Sequence, residues 1–575
     1  MRILLLATAY NSLTQRVHVE LVYRGYDVSL ELAFNNEVMV EAAELYQPDA
    51  IVAPFLKKRI PETLWRRYLC IIIHPGIKGD RGPSSLDWAI MNNAKYWGVT
   101  ALQATEEMDA GDIWSSVSFK MPPHSKGCVY RTEVAEAAVI ATLQTLERIK
   151  SKQFRPEPLD YSRKDVQGCL RPYLKQEIRA IDWTSDSSFT IVKKIRAADS
   201  QPGVLDTIFG EEYYLYGVHE EDMLKGTPGE IIAQQHGAIC RATVDGAVWI
   251  SHIKKKKQKD RSFFKLPAAM VLRDRIKNIP ELTSPRSVPL GCKTYKEIWY
   301  EQKNDVGYLH FDFYNGAMST DQCNRLRIAF LDACTRPTKV IVLMGGHDFW
   351  SNGIHLNIIE ASENPAEESW RNINAMNDLV QAIITTTSHL VIAAMQGNAA
   401  AGGAILALAA DKVYARSGIV LNPHYKRMGL YGSEYWTYLL PKRVGQEKAL
   451  ELTSKCTPMC TQVAKKIGLI DDCLESKPES FRQWIRLIAE EMAQSPEYEK
   501  TLALKKETRL RDERVKPLEE YRKEELEQMK LNFYGSDRSY HVARHNFVHK
   551  IAPQETPLHL AKHRHFDRVS DKCIV

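Results

Sequence analysis

The stretch CIIIHPGIKGDRGPSSLDWAIMNNAKYWGVTALQATEEMDAGDIW, residues 70–114, constrains the fold more than any other part of the chain. Cys70 to Ile73 is an uninterrupted apolar run that reads as a buried strand, and His74-Pro75-Gly76 breaks it, leaving an imidazole at its carboxyl end. Open α/β sheets bind ligands at that end of their strands. After a Gly-rich loop, Pro83 and Ser84 set up a helix through Leu86-Asp87-Trp88-Ala89-Ile90, and a strand over Gly98 to Gln103 leads to the turn Asp109-Ala110-Gly111. A histidine and an aspartate are thus offered from two loops that one sheet edge could bring together.

A chain of 575 residues is too long for one core, and at about 150 residues per domain it suggests three or four. Apolar content of 44% and charged content of 26% are those of a soluble protein, and a net charge of +6 is too small at this length to imply a nucleic-acid partner. The first apolar run, Ile3 to Ala7, is a strand's length and lacks a signal peptide's core, and no run is long enough to span a bilayer. The 11 cysteines follow no paired spacing, which points to reduced thiols in a cytoplasm. Cys456-x-x-x-Cys460 lacks a second ligand pair, so no structural zinc is expected there.

The amino-terminal segment reads as a doubly wound α/β start: strands at Arg2–Ala7, Asp27–Leu32 and Asp49–Ala53, with an amphipathic helix from Ser12 to Tyr23 ended by Gly25. Thr8 to Ser12 contains no G-x-G-x-x-G, which argues against a dinucleotide site. Val129 to Ile149 is expected to be a long helix, with Arg131 in its first turn facing a phosphate or solvent. Gln153 to Pro158 reads as a linker, and Lys254 to Lys259 as a solvated loop.

The order HPG loop, RGPSS segment, G-V-T strand and D-A-G-D turn resembles the catalytic core of the folate-dependent formyltransferases, such as methionyl-tRNA formyltransferase. The resemblance implies that His74 and Asp109 are catalytic and that 10-formyltetrahydrofolate is the formyl donor. Ala53-Pro54-Phe55-Leu56 stands where that family presents backbone to the pterin, which makes Phe55 and Leu56 candidate folate contacts; a plain turn explains them equally well. The family motif reads Asn-x-His-Pro, and the Asn position here is Ile72, which cannot donate a hydrogen bond to a tetrahedral oxyanion. Residues from Ile178 to about Lys257 match the family's carboxyl-terminal domain, a small helix followed by a barrel-like, OB-like β unit.

Asp260 to Leu290, with Pro267, Pro280, Pro285 and Pro289, reads as a second linker, after which strands at Val306–Phe313 and Thr338–Met344 flank a helix from Thr320 to Cys334. The loop GGHDFWSNGIHLN and the later VIAAMQGNAAAGGAILALAAD, whose Ala-rich helix starts near Gly402, resemble the crotonase, or enoyl-CoA hydratase/isomerase, family, as does the run from Leu440 to Asp471. That resemblance implies a thioester oxyanion hole made by the backbone N–H groups of Ile354 and Gly402. It also shows a departure: the two hydratase glutamates fall at Ile405 and at His424 or Tyr425, so simple hydration of an enoyl thioester is not expected. His424, Tyr425 and Glu434 lie beside the implied site, and Tyr425 and Glu434 are the candidate proton-transfer residues.

The remainder is charged and helical in pattern, with RKEELEQMK as a solvated face. His541, His545 and His549 share one helix face, but no carboxylate or cysteine accompanies them in sequence, so a packing or acyl-carrier contact is expected rather than a metal. Arg538 and Arg544 in the same region are candidates for coenzyme A phosphates, as Arg131 is in the amino-terminal half.

The expected architecture is therefore a multidomain α/β chain: a formyltransferase-like, Rossmann-like sheet over 1–152, a small OB-like β domain over 160–275, a crotonase-type α/β domain over 290–475 and a helical extension over 476–575. The pairing resembles the HypX/HoxX family of hydrogenase maturation proteins. It implies formyl transfer from 10-formyltetrahydrofolate to coenzyme A and splitting of formyl-CoA into coenzyme A and carbon monoxide, an iron ligand of nickel-iron hydrogenases. Expected partners are small-molecule substrates and hydrogenase maturation proteins, with no nucleic acid and no membrane. Two alternatives stay open: formyl transfer to an amine beside a separate acyl-CoA enzyme, and a non-catalytic scaffold, for which Ile72 and Ile405 would be signs of decay.

Overall fold

The computed structural model describes residues 1–259, 261–283, 291–475 and 477–564. The chain forms two units, Met1–Tyr295 together with the tail from Ala552, and Lys296–Ile551. Among the described residues no helix is long and apolar enough to cross a membrane.

The first unit opens with a six-stranded sheet in the order Asp27–Leu32, Arg2–Ala7, Ala50–Phe55, Cys70–His74, Tyr96–Gln103, Ile113–Lys120. Its first four strands are parallel, as their near-continuous apolar runs require for burial on both faces, and its last two are antiparallel to their neighbours. His74 ends its strand opposite Thr100, whereas Gln103 pairs with Ile71, so the loop that carries Asp109 leaves the sheet at the other end of the His74 strand and folds back. The helix expected from Val129 starts earlier, at Lys126 behind the Ser125 N-cap, and passes through a π-helical turn at Tyr130–Val134 before continuing as Ala135–Ser151.

The segment read as a linker after residue 152 is docked rather than free. Glu157 pairs with Ile113 and Leu170 with Arg81, which brings 157–171 against the loop following His74. The second sheet, in the order Val204–Ile208, Glu211–Glu221, Ala247–Lys255, Ala238–Ala242, Ile231–Gln235, is antiparallel and is packed by the helix Ser188–Ala198. Part of the second expected linker belongs to it: Leu266–Pro267 pairs with its central strand, and Ala268, Leu272 and Ile276 enter its core. Pro280 accepts a hydrogen bond from Gln234, while Asp260, Pro285 and Pro289 lie outside the described residues. Lys255 and Lys256 of the basic run pair with Glu211 and Glu212 across the sheet.

The second unit joins a six-stranded sheet, five of whose strands are parallel to their neighbours, to a small four-stranded sheet of Phe349–Ser351, Asn398–Ala400, Val420–Asn422 and Met459–Cys460. The helices after residue 476 are part of its cores: Phe481, Ile485 and Ala489 pack on the large sheet, and Leu518, Met529 and Phe533 on the other face. Within RKEELEQMK, Glu525 and Met529 are fully buried, so that face is not solvated.

The tail returns to the first unit along the edge strand Asp27–Leu32. Leu30 N–H donates to the Leu560 carbonyl, and the buried Glu31 carboxylate takes His563 at 2.8 Å, Arg564 at 2.9 Å and the Thr556 hydroxyl. Burial alone would raise the Glu31 carboxyl, but the bonds from His563, Thr556 and Arg564 outweigh it and hold the group below its usual value. The clasp therefore contributes stability above the unfolded carboxyl's pKa and loses it as pH falls through the lower folded value. His563→Ala should lower unfolding stability by about 2–4 kcal/mol at pH 7, read from urea melts of the full chain, with the difference from wild type shrinking below about pH 4.

Candidate active sites

In the first unit His74 sits between two carboxylates. Its Nε2 is 3.0 Å from Asp80 Oδ2 and its Nδ1 is 3.6 Å from Asp109 Oδ2. Asp80 is buried, and its second oxygen accepts from Arg171 Nε at 3.1 Å. The approach requires Gly76, because a β-carbon there would fall 2.5 Å from Asp80 Oδ2 and 2.6 Å from His74 Nε2. Trp97 Nε1 and Ser85 Oγ both donate to the Pro75 carbonyl and Thr100 Oγ1 to that of Gly76, which fixes the turn behind the imidazole. Asp109 adopts φ 55° and accepts from Gly82 N–H at 3.3 Å, while Arg81 Nε holds the Met108 carbonyl. One imidazole nitrogen is thus held by a carboxylate, and the other stands beside a second carboxylate beyond hydrogen-bond length, so both can reach one substrate atom placed to the side of the pair.

The Phe55 carbonyl accepts from Thr8 N–H at 2.8 Å. The Phe55 ring meets Tyr130 edge-on with centroids 6.3 Å apart, and Asn11 Nδ2 donates to the Tyr130 hydroxyl at 3.5 Å. Burial pushes the Tyr130 phenol up, so it stays protonated at neutral pH. Arg131, in the π-helical turn, folds its guanidinium toward Gly127, where a β-carbon would lie 3.0 Å from Nη2.

In the second unit Gly353, the residue before Ile354, lies close to Gly402. A β-carbon on Gly353 would be 3.3 Å from Gly402 N, and Gly402 opens the helix Gly402–Leu408, so its N–H has no intrahelical acceptor. Glu434 occupies the space a side chain at residue 402 would take, its Oε1 2.2 Å from the position of that β-carbon. Tyr425 Oη donates to Glu434 Oε2 at 2.7 Å, and Ser433 N–H donates to the same oxygen at 3.2 Å. Burial pushes the Glu434 carboxyl up to about 7 against those hydrogen bonds. It raises the Tyr425 phenol further still, so the phenol remains the donor. His424, by contrast, turns its Nδ1 to the Asn422 carbonyl, and Ile405 is fully buried in the core.

Glu434 and Tyr435 both have positive φ, 63° and 58°, a backbone that costs about 1 kcal/mol per residue outside glycine. Two buried side chains from distant helices hold it there. Asn377 Oδ1 accepts from Glu434 N–H and Ser433 Oγ, each at 2.8 Å, and Glu525 accepts from Tyr435 N–H, Thr437 N–H and Thr437 Oγ1. Burial, with Glu434 adding to it, pushes the Glu525 carboxyl up to about 8.

The three histidines of the last helix do not act as one set. His541 turns to the Phe533 carbonyl and to Arg544, whereas His545 and His549 face Glu360 of the helix Leu356–Ala361. A carboxylate thus accompanies them, contrary to the expectation from sequence. Arg544 is buried, donates to Glu360 Oε2 at 2.7 Å and lies over the Tyr540 ring.

Both halves of the chain match known proteins. Family models for the formyl transferase domain match residues 9–146, for the formyl transferase carboxyl-terminal domain 173–266, and for enoyl-CoA hydratase/isomerase 301–555. Methionyl-tRNA formyltransferase of Geotalea uraniireducens is 25% identical over 41% of this chain and 74% of its own. The crystal structure of HypX from Aquifex aeolicus in complex with tetrahydrofolic acid is 46% identical, covers 98% of this chain and 99% of that one, and superposes with a TM-score of 0.94. Hydrogenase maturation factor HoxX of Bradyrhizobium diazoefficiens is 48% identical over 98% of this chain and 97% of its own length. With both halves matched along their whole length in a single relative, the chain belongs to the HypX/HoxX family of hydrogenase maturation factors.

Proposed function

We propose that this chain transfers the formyl group of 10-formyltetrahydrofolate to coenzyme A and releases it from formyl-CoA as carbon monoxide for hydrogenase maturation. The observation that carries the second, less familiar step is the buried Tyr425–Glu434 pair set against Gly402.

In the first step the thiol loses its proton, sulfur bonds to the formyl carbon, and the carbon–nitrogen bond breaks with its electron pair and a proton going to nitrogen. His74 moves that proton. Its Nε2 is held by Asp80, so Asp80 orients the imidazole. Asp109, 3.6 Å from Nδ1, stands on the substrate side. Phe55 and Leu56 with Tyr130 would border the pterin, and the bound tetrahydrofolic acid of the Aquifex relative supports folate as the donor. Arg131 within the first unit and Arg544 within the second are each a proposed contact for a coenzyme A phosphate, Arg544 sharing its charge with Glu360.

In the second step nothing is added to a double bond, which accords with Ile405 in place of a hydratase glutamate. The N–H groups of Ile354 and Gly402 hold the formyl oxygen. Glu434 as carboxylate takes the formyl proton, the electrons of that bond remain on carbon as the lone pair of carbon monoxide, and the carbon–sulfur bond breaks toward sulfur. The sulfur then takes a proton delivered through Tyr425. A carboxyl poised near 7 can both accept and return a proton at neutral pH.

Full-length protein incubated with 10-formyltetrahydrofolate and coenzyme A should form carbon monoxide, read from haemoglobin absorbance. Glu434→Gln and Tyr425→Phe should each cut that rate at least 100-fold while tetrahydrofolate release continues. Because the base form of Glu434 is required, the rate should fall as pH drops through about 7. No carbon monoxide above blank from folded protein, or an undiminished rate in Glu434→Gln, would overturn the proposal.

Asp80→Asn should lower kcat for tetrahydrofolate release about 10–1000-fold with little change in folate affinity, because the imidazole loses its orienting carboxylate. Equal losses in affinity and kcat would assign Asp80 to folding of the loop instead.

A further inference from the structure

We propose that Glu360, His545 and His549 form a binding site for a single divalent transition-metal ion, of the zinc or cobalt class, joining the helix Leu356–Ala361 to the helix Ser539–His549. The two histidines are four residues apart and project from one face of their helix, with ring centroids 4.2 Å apart. Each turns a nitrogen to the same carboxylate oxygen: His545 Nδ1 is 2.8 Å and His549 Nε2 3.4 Å from Glu360 Oε1. All three ligand atoms lie within 4.8 Å of one another. Around a tetrahedral ion with bonds of about 2.0–2.1 Å, neighbouring ligand atoms stand about 3.3–3.4 Å apart. The His549 contact already has that spacing, and the His545 contact needs to open by about half an ångström, a rotation that a half-exposed side chain makes at little cost. Two histidines and a glutamate are a ligand set that zinc accepts, with the fourth position left to water.

The carboxylate is held ready. Arg544 Nε takes Glu360 Oε2 at 2.7 Å and turns Oε1 to the imidazoles, Arg544 lies on the Tyr540 ring, and the Tyr540 hydroxyl is within 2.7 Å of Ser369 Oγ. Outer-shell bonds of this kind orient metal ligands. The guanidinium also offsets the carboxylate's charge, which weakens its hold on a cation. The helix that carries Glu360 begins at Leu356, directly after Ile354 and His355, so a bound ion would brace the segment that supplies one oxyanion-hole amide.

Full-length protein stripped with EDTA and dialysed should bind ZnCl2 in isothermal titration with one equivalent that disappears in His545→Ala/His549→Ala and weakens at least tenfold in Glu360→Gln. CoCl2 at the same equivalent should give the intense visible absorption of a low-coordinate ion, and zinc should raise the melting temperature of wild type but not of the double variant. Because His545 is half-exposed, the double variant is expected to melt near the wild type without metal, which separates lost ligands from lost fold. Absence of any such equivalent in wild type, or the same stoichiometry and affinity in a folded double variant, overturns the proposal. These readouts do not use folate or coenzyme A, so the outcome is independent of the proposed activity.

Discussion

A buried carboxylate with no cation beside it among the described residues governs the second unit. Moving Glu434 out of water as an anion costs several kcal/mol, and its hydrogen bonds from Tyr425 and Ser433 return only part of that. The group responds by holding its proton up to about pH 7. Its position is also costly, since Glu434 and Tyr435 sit in left-handed backbone. What keeps it there is a second buried acid, Glu525, whose three hydrogen bonds bind the following residues, and Asn377, which takes the Glu434 N–H. Structure that stores strain around one proton-holding group is the pattern expected of chemistry rather than of packing.

The first unit treats its acids in the opposite way. Asp80 is as deeply buried as Glu434, yet Arg171 and His74 flank it on both oxygens. The arginine arrives on a segment that runs outside any helix, fixed by main-chain bonds to Lys78 and Arg81, by Trp88 Nε1 on the Pro172 carbonyl, and by glycines that allow the two strands of chain to touch: a β-carbon on Gly82 would lie 2.2 Å from the Arg171 carbonyl. Removing the side chain of Asp80 would therefore take a partner from the half-buried Arg171 and free the imidazole together.

How much of this could be read from the chain depended on whether a residue's neighbours are near it in sequence. The strand Cys70–His74, the turn at Asp109 and the glycines at 353 and 402 carry local signals, a run of apolar residues ended by a breaker, and they fall where the pattern places them. Asp80 reads as an ordinary polar residue of a Gly-rich loop, because its arginine stands 91 residues later. Glu525 sits in a run of charge that looks solvated, and only the packing of its helix turns it inward. Glu360 lies 185 residues before His545, so spacing alone showed histidines without a carboxylate. Period and breakers reveal elements; they do not reveal which elements meet.

The two isoleucines that stand in for catalytic residues bear on decay in different ways. A residue freed from selection in a water-lined site has no reason to become fully buried among Leu406, Ala407 and the rest of the core, as Ile405 is. Its side chain fills the interior, and the buried acid set against Gly402 is Glu434, on another segment. Ile72 is only partly buried and packs with the Leu4–Leu6 side of the sheet. There the lost amide donor is accompanied by a histidine held more firmly than a lone loop residue would be, by Asp80 on one nitrogen and a turn pinned through Trp97, Ser85 and Thr100. Relaxed sites lose their supporting contacts along with their reactive groups; the contacts around His74 and Glu434 are many and costly, which favours the catalytic reading proposed above over a scaffold.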